Sequence, residues 1–313
     1  YYNKKTTDLL LNQPLPRSTG FSSVTSNIGS VRNQGFDIMI SGRPVQTKDF
    51  AWTVSLNANY NKNEVVKLGE NDEDIETHSW VGGSEGVIRV GESLNSFYGF
   101  KRYGVYTVQD YEAGTCNMNQ IGRAKRGDKK EILGKGTPDW TGSFVNNFSY
   151  KNFDLTADFQ FVLGVETMQQ YYHSVYDRFG ITNGLSSILY DAYDGTNPDA
   201  MQQAVYLMNS GHAGQDTTID SAWVVDGSYL RLNMLQLGYT FTPLQAKSLG
   251  LAGLRVYLSG NNLFLLTSGD FLGYDPESTS QIGTDYQNKF GQNMAFFSYP
   301  RARTYTLGVN VTF

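Results

Sequence analysis

The chain has 313 residues, a net charge of -5, a mean hydropathy of -0.39, 14% aromatic residues and a single cysteine, Cys116. No run approaches the roughly 18 apolar residues that a spanning helix needs, which excludes a helical membrane protein. The lack of a basic stripe argues against nucleic acid as a partner, and one cysteine excludes an intrachain disulfide framework.

A membrane β-barrel is compatible with this composition, because lipid-facing and lumen-facing residues alternate and average to a polar value. Period-two alternation predicts nine strands. In chain order the first is 35–43, with Phe36, Ile38 and Ile40 on one parity. The second puts Phe50, Trp52, Val54, Leu56, Ala58 and Tyr60 opposite Thr53, Ser55, Asn57 and Asn59. Weaker patterns follow at 84–91 and 96–107, then 139–150 with Trp140, Phe144, Phe148 and Tyr150 on one face. In 153–163, Phe153, Leu155, Ala157, Phe159 and Phe161 alternate with Asp154, Thr156, Asp158 and Gln160. The parity of 228–241 changes midway, which predicts a bulge near Asn233. The eighth strand carries Leu254, Val256 and Leu258, and the ninth runs Tyr305, Leu307, Val309, Val311 and Phe313.

The connections sort by length. Short ones fall at 44–49, 92–95, 151–152 and 242–252, and long ones at 61–83, 108–138, 166–227 and 263–299, with a long lead-in before 35. Short periplasmic turns with long extracellular loops are the layout of an outer-membrane barrel. Phe50, Trp52, Tyr150, Phe153, Tyr239, Phe241 and Phe313 cluster at the strand ends beside the short turns, where a girdle at the periplasmic interface belongs. Nine strands leave open edges in lipid, where unpaired backbone groups are costly. With no Met and no signal peptide at Tyr1, the chain is expected to be a fragment whose remaining strands lie upstream.

A search for chemistry yields no catalytic, cofactor-binding or metal-ligating set. His78, His173 and His212 fall in long loops without ligand spacing, and no nucleophile elbow or phosphate-cradling loop is present. Charges on the polar parity, Asp37, Asp154, Asp158 and Arg255, are expected to face the lumen. In 166–227, Asn197 and Pro198 predict a helix start, with Ala200, Met201, Ala204, Val205 and Met208 as its apolar face and Gly211 as its end. Tyr171, Tyr172, Val175, Tyr176 and Phe179 also fit a helical face, and such aromatics suit partner docking or stacking on sugar rings.

Several ordered strings carry more information than periodicity. They are Asn27-Ile28-Gly29 with Gly35-Phe36-Asp37, Tyr229-Leu230-Arg231-Leu232, Leu237-Gly238-Tyr239-Thr240-Phe241, Gly260-Asn261-Asn262-Leu263-Phe264, Gly273-Tyr274-Asp275-Pro276-Glu277 and Tyr299-Pro300-Arg301. In this order and spacing they resemble the C-terminal part of the SusC/RagA family of TonB-dependent transporters of Bacteroidetes. The resemblance implies an all-β, antiparallel transmembrane barrel of 22 strands, of which about nine C-terminal strands lie here, with plug and TonB-contacting region upstream. It implies a SusD-like surface lipoprotein and TonB as partners, outer-membrane lipid around the wall, and an oligosaccharide or peptide as the imported nutrient. No cofactor is implied. Tyr171, Tyr172, Tyr176, Tyr274 and Asp275 are the loop candidates for partner or substrate contact. The basic run Arg123 to Lys130 departs from the acidic segment of many relatives, so a calcium site is not expected there. An outer-membrane enzyme or adhesin on a barrel, and a soluble carbohydrate-binding β-sandwich, are the alternatives.

Overall fold

Alternating strands joined by short turns have one economical way to pair, as a meander in which each strand bonds to the next. The structure, a computed structural model, describes all residues except 16, 22, 80–82, 176–182, 206–217, 278–292 and 296–298. Its strands are β1 (Tyr2–Pro14), β2 (Ser23–Gln46), β3 (Phe50–Leu68), β4 (Ile75–Ser79), β5 (Gly83–Ile88), β6 (Ser96–Val105), β7 (Ala124–Lys135), β8 (Trp140–Tyr150), β9 (Phe153–Leu163), β10 (Glu166–Gln169), β11 (Val224–Asp226), β12 (Tyr229–Thr240), β13 (Gly253–Thr267), β14 (Met294–Ala295) and β15 (Thr304–Thr312). Short helices are α1 (Val108–Glu112), α2 (Tyr172–Val175), α3 (Ile188–Asp191) and α4 (Pro243–Ser248).

Eight strands form one antiparallel sheet in the order β1-β2-β3-β8-β9-β12-β13-β15. Its register aligns apolar side chains into rows on one face. Phe50, Tyr150, Phe153 and Tyr239 stand directly opposite one another across β3, β8, β9 and β12. The next row on that face runs Trp52, Phe148, Leu155, Leu237, Leu258 and Leu307. Ten residues beyond Phe50 on β3, Tyr60 stands between Phe36 and Trp140, and Tyr1 packs on Phe36 at 5.3 Å. At about 3.3 Å per residue and a tilt of about 40°, ten residues span roughly 25 Å of height, the thickness of an outer-membrane apolar band. Large apolar side chains between the Phe50 row and the Tyr60 row, such as Leu237, Leu258 and Leu307, are exposed to the surroundings rather than packed in a core.

The bulge expected near Asn233 is present, as a register shift between Leu232 and Met234 against both neighbouring strands. The strand inventory differs from the sequence reading in three places. β1 occupies part of the expected long lead-in before 35, β2 and β3 extend far beyond 35–43 and 50–60, and the segments 84–91 and 96–107 do not join the main sheet. These two segments contribute β5 and β6 to a separate sheet, β4-β5-β6-β7. The sheet therefore has eight of the described strands instead of nine, and 92–95 is not a turn of the barrel. Adding or removing a pair of strands leaves every later strand pointing the same way, so connection lengths alone do not fix the number of strands. β1 carries no apolar alternation because it lies beyond the upper aromatic row, where neither face requires apolar residues.

All long connections leave one end of the sheet, and 47–49, 151–152 and the α4 connection leave the other, next to the final residue. A third sheet, β11-β10-β14, is assembled at the long-loop end from two separate connections and pairs β10 with β14 in parallel.

Candidate functional site

The long connections do not form separate loops. Phe97 from the first, Met168, Tyr172, Ile188, Ile219 and Trp223 from the second, and Met294 from the third share one buried cluster. A second cluster joins the top of the main sheet to this cap through Leu11, Val31, Val65, Leu68, Ile75 and Ile88. Burying these side chains, at about 1.5–3 kcal/mol each, is what holds the cap over one end of the sheet.

Buried charges fix its parts relative to each other. Asp220 is completely buried and accepts from Arg102 Nε at 2.8 Å and Arg126 Nε at 2.6 Å through Oδ2, while Oδ1 accepts from the Ala222 amide. Arg102 also donates to the Met201 carbonyl at 3.1 Å. From Ala124 onward the basic run lies in β7, and two of its charges are used within the cap: Arg126 on Asp220 and Lys125 on Asp110 at 2.8 Å. Asp110 closes a capping box with Thr107 at the start of α1. Its carboxyl is held below the usual carboxylate range, first by the Lys125 ammonium and then by the Thr107 amide, and Lys125 is raised in turn.

A second network stands where cap meets sheet. Arg231 of β12, almost fully buried, donates to Asp275 Oδ1 at 2.6 Å and lies 3.5 Å from Glu277. Glu277 in turn pairs with Arg301 at 3.1 Å. Three of the strings singled out in the sequence, around Arg231, Asp275 to Glu277 and Arg301, therefore meet at one point. Their spacing gave no sign of this, because 70 residues separate Arg231 from Arg301 while the fold places both on the same carboxylates.

The polar face of the sheet holds Asp37, Asp154, Asp158 and Arg255 together, as the alternation requires. Asp154 and Arg255 form an ion pair at 2.5 Å across the intervening strand β12. They meet over Gly238, where a Cβ would lie 2.5 Å from the guanidinium and 2.6 Å from the carboxylate. Asp37 accepts from Asn59 at 2.6 Å, and Asp158 Oδ1 is buried without a hydrogen-bond partner among the described residues. Asn59, Asn61 and Asn63 line up on the same face, the last donating to Asn33 at 2.8 Å.

The loop candidates divide. Tyr274 is exposed and its neighbour Asp275 is buried as the anchor just described. Tyr172 is a core residue whose hydroxyl accepts from Gln169 at 3.1 Å, so it offers no surface to a partner. Tyr171 is half-buried beside it and donates to Gln169. Tyr176 lies outside the described residues, as do His212, Phe179, Met208 and Gly211. The helix predicted from Pro198 is not formed over the described part, 198–205. Asn197 instead accepts from the Asp194 amide and donates to the Ala192 carbonyl, closing a turn that leaves Gln202 bridged to Ala192. Asn at that position served a turn as readily as a helix cap. Among the described residues no three His, Cys, Asp or Glu side chains gather into a metal site.

A sheet with lipid-height aromatic rows, a polar inner face and loops gathered at one end is a section of a membrane β-barrel wall. No family model matches the chain. Curated relatives include TonB-dependent receptor P3 of Formosa agariphila, 32% identical over 335 residues, and TonB-dependent receptor SusC of Bacteroides thetaiotaomicron, 30% identical over 322 residues. Both alignments cover all of this chain but only 32% and 29% of the relatives, so the chain spans about a third of their length. Among solved structures, the RagAB peptide transporter matches with a TM-score of 0.74 and 24% identity over 99% of this chain and 32% of that one. Over its whole length the chain is thus similar to about a third of the length of TonB-dependent receptors, SusC among them, and it shares the fold of the RagAB transporter over that stretch.

Proposed function

We propose that this chain is the C-terminal part of the barrel of an outer-membrane importer that draws a nutrient across the membrane with energy delivered through TonB. The observation that carries the reading is the match of the whole of this chain to about a third of the length of TonB-dependent receptors, joined to a wall whose apolar band has membrane height. In this reading the short turns face the periplasm and the cap faces outward, where a SusD-like lipoprotein closes on it. Exposed side chains of the cap, among them Tyr103, Leu189, Tyr190, Leu272 and Tyr274, form the surface that partner or nutrient meets. The polar face with Asn59, Asn61 and the Asp154–Arg255 pair lines the lumen around a plug supplied by residues outside this chain.

The nutrient is an oligosaccharide or a peptide. The test is deletion of the gene in its host, followed by growth on panels of single glycans and peptides. Loss of growth on one class, restored by the intact gene and not by one encoding a protein without its TonB-contacting region, is the expected result. Undiminished growth and uptake on every panel would overturn the reading.

A further inference from the structure

We propose that the outer face of β1–β3, just above the upper aromatic row, binds the phosphate groups of lipid in the leaflet on the cap side. This rests on the membrane-embedded reading above and names a lipid contact that the reading does not require. The apolar band ends at Tyr1, Phe36, Tyr60 and Trp140. Two residues further along the same face, Lys62 stands opposite Gln34; four residues further, Lys5, Arg32 and Glu64 stand in one line across the three strands. At about 3.3 Å per residue and a tilt of about 40°, these side chains lie roughly 5–10 Å above the row. That is the level of headgroups rather than of acyl chains.

The charge there runs against that of the molecule. Three cations, Lys5, Arg32 and Lys62, share the patch with one anion, Glu64, in a chain whose net charge is -5. Lys62 is half exposed even with Glu64 at 3.4 Å, and Lys5 is exposed. A wall whose only task at this height was to meet water would have no need for cations collected on its lipid side. Phosphate fits them, since an Arg fork can take two of its oxygens and Lys adds a point charge. The aromatic row directly beneath continues the surface on which the acyl chains of the same molecule would lie. This continuity favours a lipid-borne phosphate over a free ion.

The test uses the intact protein and its Lys5→Gln/Arg32→Gln/Lys62→Gln variant, extracted from the same membranes in one mild detergent. Each is titrated with phosphorylated lipid A, with the same lipid after phosphatase treatment, and with inorganic phosphate, and bound lipid is counted by native mass spectrometry. The expected result is retention of phosphorylated lipid by the wild type, weakened about fivefold for each cation removed and roughly a hundredfold for all three. Inorganic phosphate at equal concentration should not displace the lipid, and a Lys5→Arg/Lys62→Arg variant should bind as the wild type does. Equal binding of the phosphatase-treated lipid, equal binding by the triple variant, or displacement by inorganic phosphate would overturn the proposal while leaving the barrel intact. Recovery of the wild type in the soluble fraction would overturn the barrel reading and the proposal together.

Discussion

The eight-stranded sheet and the cap are stabilised against different surroundings, and the same residue types do opposite work in them. In the sheet, Leu237, Leu258 and Leu307 face outward and are exposed, while Asn59 and Asp154 face the other side. In the cap, Phe97, Met168 and Trp223 are buried and charges such as Asp220 are paired deep inside. The sheet follows the logic of a wall between lipid and a polar lumen. The cap follows the logic of a folded domain in water, with an apolar core and buried charges held in ion pairs. Damage to one should therefore leave the other largely standing.

The largest expected effect is in the cap. Asp220→Ala strands the buried Arg102 without its counter-charge and takes one partner from Arg126, a loss of about 3–5 kcal/mol. Hydrogen exchange should rise sharply through 96–135 and 218–226 while the amides of β8 and β9 keep their protection. Equal loosening of both regions would break the comparison.

Asp275→Ala acts at the boundary. Among the described residues it leaves Arg231 the longer carboxylate contact to Glu277 at 3.5 Å, for an expected cost of about 3 kcal/mol. Limited proteolysis should then cut the 268–303 connection first. Uncut protein under conditions that cleave the Asp220 variant would show that this network does not anchor the connection.

Within the sheet, Asn146 occupies a lipid-facing position, and its carbonyl accepts from the Trp52 indole at 3.1 Å. Trp52→Phe should cost about 1–3 kcal/mol in a bilayer, read from the denaturant midpoint of refolding into vesicles. A Trp52→Phe/Asn146→Leu double variant should recover most of that loss. No recovery would mean that the amide is satisfied in another way.

The smallest effect concerns pH. Asp110 has a lowered pKa in the folded state, so its contribution is present above the ordinary Asp value near about 3.9 and is lost as pH falls through the lower folded value. Lys125 is raised, so its share persists below the ordinary Lys value and disappears only as pH rises through the higher folded one. Exchange of the α1 amides should stay slow between these limits and quicken at both extremes. Asp110→Asn should remove the acid limb, and its persistence would sink the assignment. With Lys125 more than one-third exposed, the effect is only a few tenths of a kcal/mol.

How much of this was legible in the sequence follows the same division. Wherever a strand crosses the apolar band, lipid on one side and polar surroundings on the other force period two, so β8, β9, β12, β13 and β15 and the bulge at Asn233 could be read directly. The aromatic girdle was legible for the same reason. β1 and the upper halves of β2 and β3 stand outside the band, and no such force writes a pattern into them. The assignment of β5 and β6 needed the tertiary structure, because alternation says that a strand has two unlike faces and not which sheet it joins. The two ion networks and the shared core of the cap were likewise decided only by the fold. Arg102 and Asp220 are 118 residues apart, and local sequence carries no record of which distant charge will neutralise a buried one. A repeating environment imprints a repeat on the chain, whereas a contact made once between distant segments leaves no period to read.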